Sequence, residues 1–495
     1  MIDNFIAGSV ALFGDPFTIG IFVFGVIGGM LFGAIPGVSM LTLAAILLPF
    51  TANLEPAQGV MLFAVIYCTG TYGGAITAIL FNIPGAPENA PTAFDGYPMT
   101  RKGQSGKAVG AAVLCSAIGG VTSAIVMMAA TEPLANWAIS NIGPPEIFAL
   151  VFFGLAVASS VGGRTLWKGW MSVLLGLLIA TIGQDPVGGI NRYNFGFSDL
   201  AAGIAFVPAI LGFFAVSEIF VQAEKKAIGM YEAPKLSLDF PTILELWTHK
   251  IAVVRSILVG FFCGILPGIG ATLAAFMGYG EAVRWSKNKD SFGKGNLEGV
   301  ISSETANNAA TGAAMIPLLA LGLPGGALTA MMVAVFQMHD LEPGPLVFYN
   351  SPDLIWIVFA AMFYANLSIL FIGLLETKTI LYLLKIPFQF LAPMILLLAS
   401  IGSYIGRGLV LDVMVMFISG IMGFLLRRSG YSIPGIVLGI ILGKIGEQNF
   451  AQGMQMVHYD LLEYLSRPIC LLLIVAGSLT LLAGIYKALS FSFKS

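Results

Sequence analysis

Four Pro-Gly breaks interrupt long uncharged apolar stretches of this chain, and they constrain its fold more than any other feature. They read GAIPG at 33–37, NIPG at 82–85, GILPG at 264–268 and GLPG at 322–325. Proline and glycine end helices, and in a bilayer the freed backbone groups must be buried in protein or line a cavity. The breaks therefore predict discontinuous helices or re-entrant hairpins around a binding site within a membrane.

The composition is that of a polytopic membrane protein. Of 495 residues, 57% are hydrophobic and 10% are charged, and the mean hydropathy is +0.89. No charged side chain occurs in residues 17–54, 56–87, 256–280 or 305–338. Because a helical span needs about 20 apolar residues, these and shorter runs predict about ten to twelve crossings and re-entrant segments. We expect an all-α fold.

The breaks form two matched pairs, which indicates an internal duplication. Three landmarks recur in the same order, namely Pro36 with Pro267, Pro84 with Pro324, and Gly176 and Gly183 with Gly423 and Gly430. The separations are 231, 240 and 247 residues, and the increase falls in loops. Three landmarks in one order favour a repeat over a chance recurrence of common residues.

Loop charge predicts that the two copies have opposite orientations. Residues 101–107 hold three Lys and Arg, whereas the corresponding loop 339–353 holds none. Between the breaks the bias reverses, because 53–58 holds none and 281–298 holds four. Cytoplasmic loops collect Lys and Arg, so the repeat is expected to be inverted, with a periplasmic N-terminus and a cytoplasmic C-terminus. Three basic residues do not follow this trend: Arg192, Arg407 and Arg467.

These patterns predict four segments. They are a first transmembrane repeat at 1–223, a cytoplasmic linker at 224–250, a second, inverted repeat at 251–449 and an extra C-terminal helix at 450–495. The expected fold is an inverted-repeat secondary transporter with an elevator-like scaffold and a transport unit built from the broken helices. A rocking mechanism would use the same repeat.

The predicted substrate site consists of the breaks and of two polar runs between them, CTGTYGG at 68–74 and SSETANNAATG at 302–312. Helix N-termini after the breaks offer free N–H groups and partial positive charge, which suit a carboxylate. The candidate residues are Pro36, Gly37, Ser39, Thr71, Asn82, Pro84, Gly85, Pro267, Gly268, Gly270, Thr272, Asn307, Asn308, Thr311, Pro324, Gly325 and Gly326. The alternative is that the glycines only permit close packing and the polar groups only join helices.

Freed carbonyl groups at the breaks predict a site for a coupling cation, Na⁺ or H⁺. A sodium ion is expected near Gly37, Gly85, Gly268, Asn307 and Gly325. Three acids nearby, Glu88, Asp95 and Glu304, are either solvated or helix-capping groups, or they are cation-coupling groups. The three histidines are far apart, so a transition-metal site, a cofactor and an intramembrane enzyme are not expected. No basic aromatic stripe points to nucleic acid as a partner.

At these motifs the chain resembles a known family. GAIPGVS, YGGAITAILFNIPGAPENAPTAFDGYPMTRKGQSGKA, GILPGIGATLAAFMGYGEA and SSETANNAATGAAMIPLLALGLPGG resemble the large membrane subunit of the tripartite tricarboxylate transporters, the TctA family. The resemblance implies a multi-pass permease of the bacterial inner membrane. Its implied partners are a small four-helix membrane subunit and a periplasmic substrate-binding protein.

The resemblance also implies uptake of citrate or another carboxylate, driven by a cation gradient. A stand-alone cation-coupled anion transporter and an anion channel are the alternatives. Saturable uptake that depends on a counter-ion distinguishes a transporter from a channel.

Overall fold

The computed structural model describes residues 1–35, 38–161, 165–224, 241, 243–266, 270–383 and 388–492. The first half of the chain contains α1 (Ile2–Gly14), α2 (Pro16–Ala34), α3 (Met40–Leu47), α4 (Pro56–Phe81), α5 (Ala90–Arg101), α6 (Ser105–Asn141), α7 (Pro144–Val161), α8 (Leu166–Ala180), α9 (Phe206–Ile210) and α10 (Ser217–Glu224). A π-helical turn, Leu211–Val216, joins α9 to α10. A short antiparallel pair, β1 (Gly183–Gln184) and β2 (Asn191–Arg192), lies between α8 and α9.

The second half is helical as well. It contains α11 (Ile243–Thr248), α12 (Lys250–Ile265), α13 (Gly270–Trp285), α14 (Leu297–Leu321), α15 (Ala327–Met338), α16 (Val347–Asn350), α17 (Pro352–Leu383), α18 (Phe388–Ile405), α19 (Val410–Arg428), α20 (Ile433–Met456), α21 (Leu461–Ser466) and α22 (Pro468–Ser492). The predicted boundary at 449 therefore falls inside α20, and the segment beyond it forms two further helices rather than one. Most of the predicted linker lies outside the described residues.

Six helical segments in the described part of the chain are long and apolar enough to cross a membrane. They are Pro16–Ala34, Pro56–Phe81, Ser105–Asn141, Phe206–Glu224, Pro352–Leu375 and Val410–Arg428. Seven further apolar helical stretches of 10–17 residues occur in the same part of the chain, and the predicted count of ten to twelve included shorter segments of this kind. The chain is therefore an all-helical, multi-pass membrane protein.

The centre of the molecule is formed by α4 and α14. Residues 58–80 of α4 and 299–320 of α14 are all buried. Both helices end in the left-handed conformation, at Asn82 (φ 59°) and Gly322 (φ 75°). Two residues later, a proline prevents either helix from resuming. The Pro-Gly sequences at 82–85 and 322–325 thus terminate two buried helices.

Glycine allows two helix pairs to pack with their backbones in contact. A Cβ on Gly33 of α2 would lie 2.3 Å from the carbonyl oxygen of Gly70 in α4. A Cβ on Gly264 of α12 would lie 2.6 Å from the carbonyl oxygen of Ala310 in α14. The two glycines are 231 positions apart and their partners are 240 apart, the same separations as those of the paired breaks. The α2–α4 and α12–α14 contacts therefore occur at matching positions.

The two central helices run in opposite directions. At one end, Thr100 of α5 donates a hydrogen bond to the carbonyl of Ile79, near the end of α4 (2.8 Å). Lys102, which follows α5, donates to the carbonyl of Lys294, just before α14 begins (2.5 Å). At the other end, His339 after α15 lies 3.1 Å from the carbonyl of Thr51, shortly before α4 begins. The start of each central helix thus lies beside the end of the other.

Each basic residue that departs from the predicted charge pattern is paired with an acid. The pairs are Arg192 with Glu447 (2.5 Å), Arg407 with Asp412 and Arg467 with Glu146. Asp412 and Glu146 are buried, so their carboxylates require these guanidinium partners. The three arginines therefore serve as ion-pair partners rather than as free loop charges.

Candidate functional site

The described residues in and next to the four breaks form two contacts, one between the first and second breaks and one between the third and fourth. A Cβ on Gly85 would lie 1.9 Å from the carbonyl oxygen of Gly33, which joins the second break to the first. A Cβ on Gly270 would lie 3.9 Å from Cα of Gly326, which joins the third break to the fourth. The remaining residues of the first and third breaks, Pro36, Gly37, Pro267 and Gly268, lie outside the described residues.

Polar side chains connect the two pairs of breaks. Thr272, shortly after the third break, donates to Oε2 of Glu88, shortly after the second (3.4 Å). The amide of Asn307 on α14 donates to the backbone carbonyl of Glu88 (3.3 Å). Residues from both halves of the chain therefore meet at Glu88, which is 5% exposed.

The polar run on α14 continues from this contact. The amide of Asn308 donates to Oδ1 of Asn307 (2.9 Å), and Thr311 donates to the backbone carbonyl of Asn308 (2.8 Å). The Thr311 hydroxyl also lies 3.8 Å from Sγ of Cys68 on α4. Thr71 bonds to the carbonyl of Tyr67 within α4 (2.8 Å). The two threonines thus satisfy their hydroxyls largely within their own helices.

Asp95 is used by the structure as a capping group. Its Oδ1 accepts the backbone N–H groups of Gly295 and Asn296 at 2.9 and 2.8 Å, just before α14. Its Oδ2 accepts the hydroxyl of Tyr279 at 2.8 Å. Both oxygens are occupied, and the side chain fastens the start of α14 to α5. Of the two roles that the sequence left open, these contacts are those of a cap.

Glu304 is also fully hydrogen-bonded, although it is completely buried. Oε1 accepts from Thr92 (2.5 Å) and from the amide of Asn307 (3.4 Å), and Oε2 accepts from Ser116 (3.0 Å). These donors come from α5, α14 and α6, so the carboxylate ties three helices together. Thr92 and Ser116 were not among the predicted residues, since an isolated hydroxyl in an apolar helix carries no distinguishing signal.

Glu88 differs from the other two acids. Oε2 accepts from Thr272, whereas no described residue donates a hydrogen bond to Oε1. Next to it, the amide nitrogen of Asn89 donates to the carbonyl of Thr71 (2.8 Å), but its Oδ1 has no donor in the described part of the chain. A buried acceptor without a donor is costly. Asn89 was also missing from the predicted site.

The remaining predicted site residues differ in their location and burial. Ser39 is half-buried and immediately precedes α3, and its carbonyl accepts the backbone N–H groups of Thr42 and Leu43. Asn82 is exposed, at the left-handed end of α4. At the end of the fourth break Pro324, Gly325 and the following Gly326 are buried, whereas Pro84 in the second break is half-buried. The buried contacts thus centre on the residues that follow the breaks rather than on Asn82.

No group of three or more His, Cys, Asp or Glu side chains suited to a metal ion occurs among the residues that could be searched, which are the described ones. The unpartnered oxygens of Glu88 and Asn89 are a carboxylate oxygen and an amide oxygen, which are ligand types that hard cations prefer.

A separate cavity of about 370 Å³ lies at the end of the molecule where α4 begins and α15 ends. Its walls include Pro49, Gln337 and Ser403, together with the Arg407–Asp412 pair. It is formed between the turn that follows α3, the end of α15 and the loop between α18 and α19. The cavity adjoins the ends of the helices rather than the breaks.

A buried polar network around interrupted helices, inside an otherwise apolar multi-pass protein, is the architecture of a membrane transporter. The sequence profile of the tripartite tricarboxylate transporter TctA family matches residues 19–438. The chain belongs to this family. It is therefore a component of a tricarboxylate transporter of the tripartite class, which implies partner subunits.

Two relatives from Agrobacterium vitis support the assignment. The uncharacterized 52.8 kDa protein in the TAR-I ttuC' 3' region is 35% identical over 460 residues, which cover 92% of this chain and 90% of that protein. The uncharacterized protein in the TAR-II ttuC' 3' region is 36% identical over 218 residues, which cover 44% and 90%. No solved structure matches this chain.

Proposed function

We propose that the chain is the permease subunit of a binding-protein-dependent, ion-gradient-driven uptake system for tricarboxylates or dicarboxylates. The observation that carries the proposal is the contact of Glu88 with Thr272 and Asn307. It joins Glu88, which follows the second break, to Thr272, which follows the third break, and to Asn307 of the buried helix α14. A transporter needs such a polar centre, whereas a protein held together only by glycine packing does not.

We further propose that the two halves form an inverted repeat. Support comes from the opposite directions of α4 and α14, and from the matching α2–α4 and α12–α14 glycine contacts. In the proposed elevator, the broken helices and the two central helices form the transport unit. Helices such as α6 and α17 supply part of the scaffold.

The substrate carboxylate would be held without a dedicated basic side chain. Residues 17–54, 256–280 and 305–338 contain no Lys or Arg. Free N–H groups at the start of α3 and α13 supply partial positive charge. The amides of Asn307 and Asn308, which donate to protein oxygens in this structure, would turn to the substrate when it binds. A co-bound cation would offset the remaining negative charge, because an uncompensated carboxylate is costly to bury.

The proposed partners are a small four-helix membrane subunit and a periplasmic substrate-binding protein, in the bacterial inner membrane. We place the N-terminus in the periplasm and the C-terminus in the cytoplasm. The basic segments at 101–107 and 281–298 lie at the same end of the molecule, where Lys102 contacts Lys294. This common position supports a cytoplasmic assignment for that end.

The test is uptake of labelled citrate and other carboxylates into proteoliposomes that contain the permease and its partner subunits. Asn307→Ala and Ser39→Ala should each reduce substrate affinity, since one lost charge-assisted hydrogen bond is worth about 1.5–3 kcal/mol, or about 10- to 100-fold. Asn141→Ala, at an exposed helix end, is the matched control. Wild-type kinetics in both site variants would show that the site is misplaced, and non-saturable flux would indicate a channel.

A further inference from the structure

We propose that Glu88 holds the coupling cation, and that this cation must be in place before the substrate carboxylate can bind. The inference rests on the proposed transport function and adds a residue and a binding order to it. The shared ligand chemistry is a single positive charge, sodium or a proton, on the unpartnered carboxylate oxygen.

The three acids of the network differ in how many of their carboxylate oxygens receive hydrogen bonds. Asp95 and Glu304 have hydrogen bonds on both carboxylate oxygens. Glu88 is 5% exposed, and Oε1 lacks a partner within the residues that the structure describes. Asp95 and Glu304 are stabilised by protein groups alone. Glu88 keeps one oxygen that no described protein group satisfies, and this oxygen is available to a ligand.

The described helices that pack against Glu88 place no positively charged side chain beside it. Of the helices packed against the turn that holds Glu88, α4 and α14 contain no Lys or Arg, whereas α5 and α13 hold Arg101 and Arg284 at their far, exposed ends. The titratable groups that face it are Tyr67 from α4 and, through Asn307, Glu304 from α14. Neither of these groups can supply a positive charge. An ionised carboxylate buried in this way needs a counter-charge, which the protein segments in contact with it do not provide.

The unpartnered groups that neighbour Glu88 are also hydrogen-bond acceptors. Oδ1 of Asn89 and Oδ1 of Asn308 are buried, and neither receives a hydrogen bond from any described residue. Asn308 is joined to Glu88 through Asn307. Further along the same polar run the buried hydroxyl of Ser302 is also without a partner, but the unpartnered atoms next to Glu88 are acceptor oxygens. Surplus acceptor oxygens have the chemistry of a cation site rather than of an anion site.

The binding order follows from the position of Glu88. It contacts Thr272 and Asn307, which are the residues proposed to receive the substrate. Without a cation, its negative charge repels a carboxylate at the same place. With a sodium ion or a proton on Oε1, the repulsion is removed, so anion binding depends on prior cation binding. This dependence would couple substrate uptake to the cation gradient.

The experiment compares net uptake with substrate counterflow in proteoliposomes for the wild type, Glu88→Gln and the exposed control Glu463→Gln. One arm applies a sodium gradient at constant pH, and the other applies a pH gradient without sodium. The arm that drives wild-type uptake identifies the cation. In Glu88→Gln, the gradient stimulation should fall at least tenfold while counterflow continues. Retained stimulation would overturn the assignment of Glu88 but leave transport intact. A wild type without saturable uptake would refute the proposed function itself.

A second variant covers the case in which Glu88→Gln loses both activities. Glu88→Asp keeps the charge but shortens the side chain, which moves the carboxylate away from the cation. The cation concentration for half-maximal uptake should therefore rise severalfold. An unchanged value would overturn the proposal. Thermal unfolding of the purified protein supplies a readout independent of transport. The coupling cation should raise the wild-type melting temperature, and it should not raise that of Glu88→Gln. An equal rise in both would also overturn it.

Discussion

The contact between the first and second breaks yields a quantitative prediction for Gly85→Ala. The added methyl group would lie 1.9 Å from the carbonyl oxygen of Gly33 and 2.7 Å from Cα of Gly74. Ordinary contacts of a Cβ begin at 3.4 Å, so the break must move away from α2 by about 1.5 Å. Both opposing atoms are backbone atoms of buried glycines, so a rotamer change cannot relieve the clash.

The expected cost of Gly85→Ala is therefore at or above the upper end of the about 1–3 kcal/mol that overpacking usually costs. Gly325→Ala at the matching break should cost less, because its Cβ would lie 2.9 Å from the Cβ of Ala314. Gly20→Ala is the control, since no described atom lies within 4 Å of its added methyl group. Alanine should stabilise that helical position by about 0.5–1 kcal/mol.

The assay is thermal unfolding of the detergent-purified variants, followed by fluorescence-detected size exclusion. The melting temperatures should fall in the order Gly20→Ala, wild type, Gly325→Ala and Gly85→Ala. Uptake by Gly85→Ala should also decrease, since the break positions Glu88. If Gly85→Ala had the same melting temperature as the wild type, the breaks would not be packed as described. The reasoning from backbone contact would then be refuted.

Three further outcomes are expected. Asp95→Ala removes the acceptor for two backbone N–H groups at the start of α14, which should cost about 1.5–3 kcal/mol per charged hydrogen bond lost in thermal unfolding. Arg467→Ala leaves the buried carboxylate of Glu146 unpaired, and since the arginine is partly exposed the cost should be about 2–3 kcal/mol, seen as earlier proteolysis near α21. A membrane-impermeant maleimide should label Ser291→Cys only from the cytoplasm and Glu342→Cys only from the periplasm, and labelling of both from one side would contradict the inverted repeat.

Because the three acids differ in their hydrogen bonding, substitutions of them report on different properties of the protein. Loss of Asp95 or Glu304 removes hydrogen bonds between helices, so a reduced rate in those variants reports on structure as well as on transport. Loss of the Glu88 charge removes one observed side-chain bond, to Thr272. Counterflow and thermal stability together separate the two kinds of effect.

The sequence by itself determined the class of the protein and the positions of its interruptions. Proline and glycine act locally, through a missing N–H and a permissive backbone, so the ends of α4 and α14 at Asn82 and Gly322 were predictable within a few residues. The family resemblance could be recognised from the motifs at the breaks. The polar runs at 68–74 and 302–312 also indicated that these central segments differ from lipid-facing helices.

Only the tertiary structure decided what each acid does. Glu88, Asp95 and Glu304 are similar carboxylates in polar stretches, and their roles depend on donors that are distant along the chain. Asp95 receives its bond from Asn296, 201 residues away, and Glu304 receives one from Thr92, 212 residues away. Hydrophobic pattern and helix propensity describe neighbours within a few residues, so they cannot show which carboxylate oxygen is left without a donor. That distinction arises when α5, α6, α13 and α14 pack together, and it singles out Glu88.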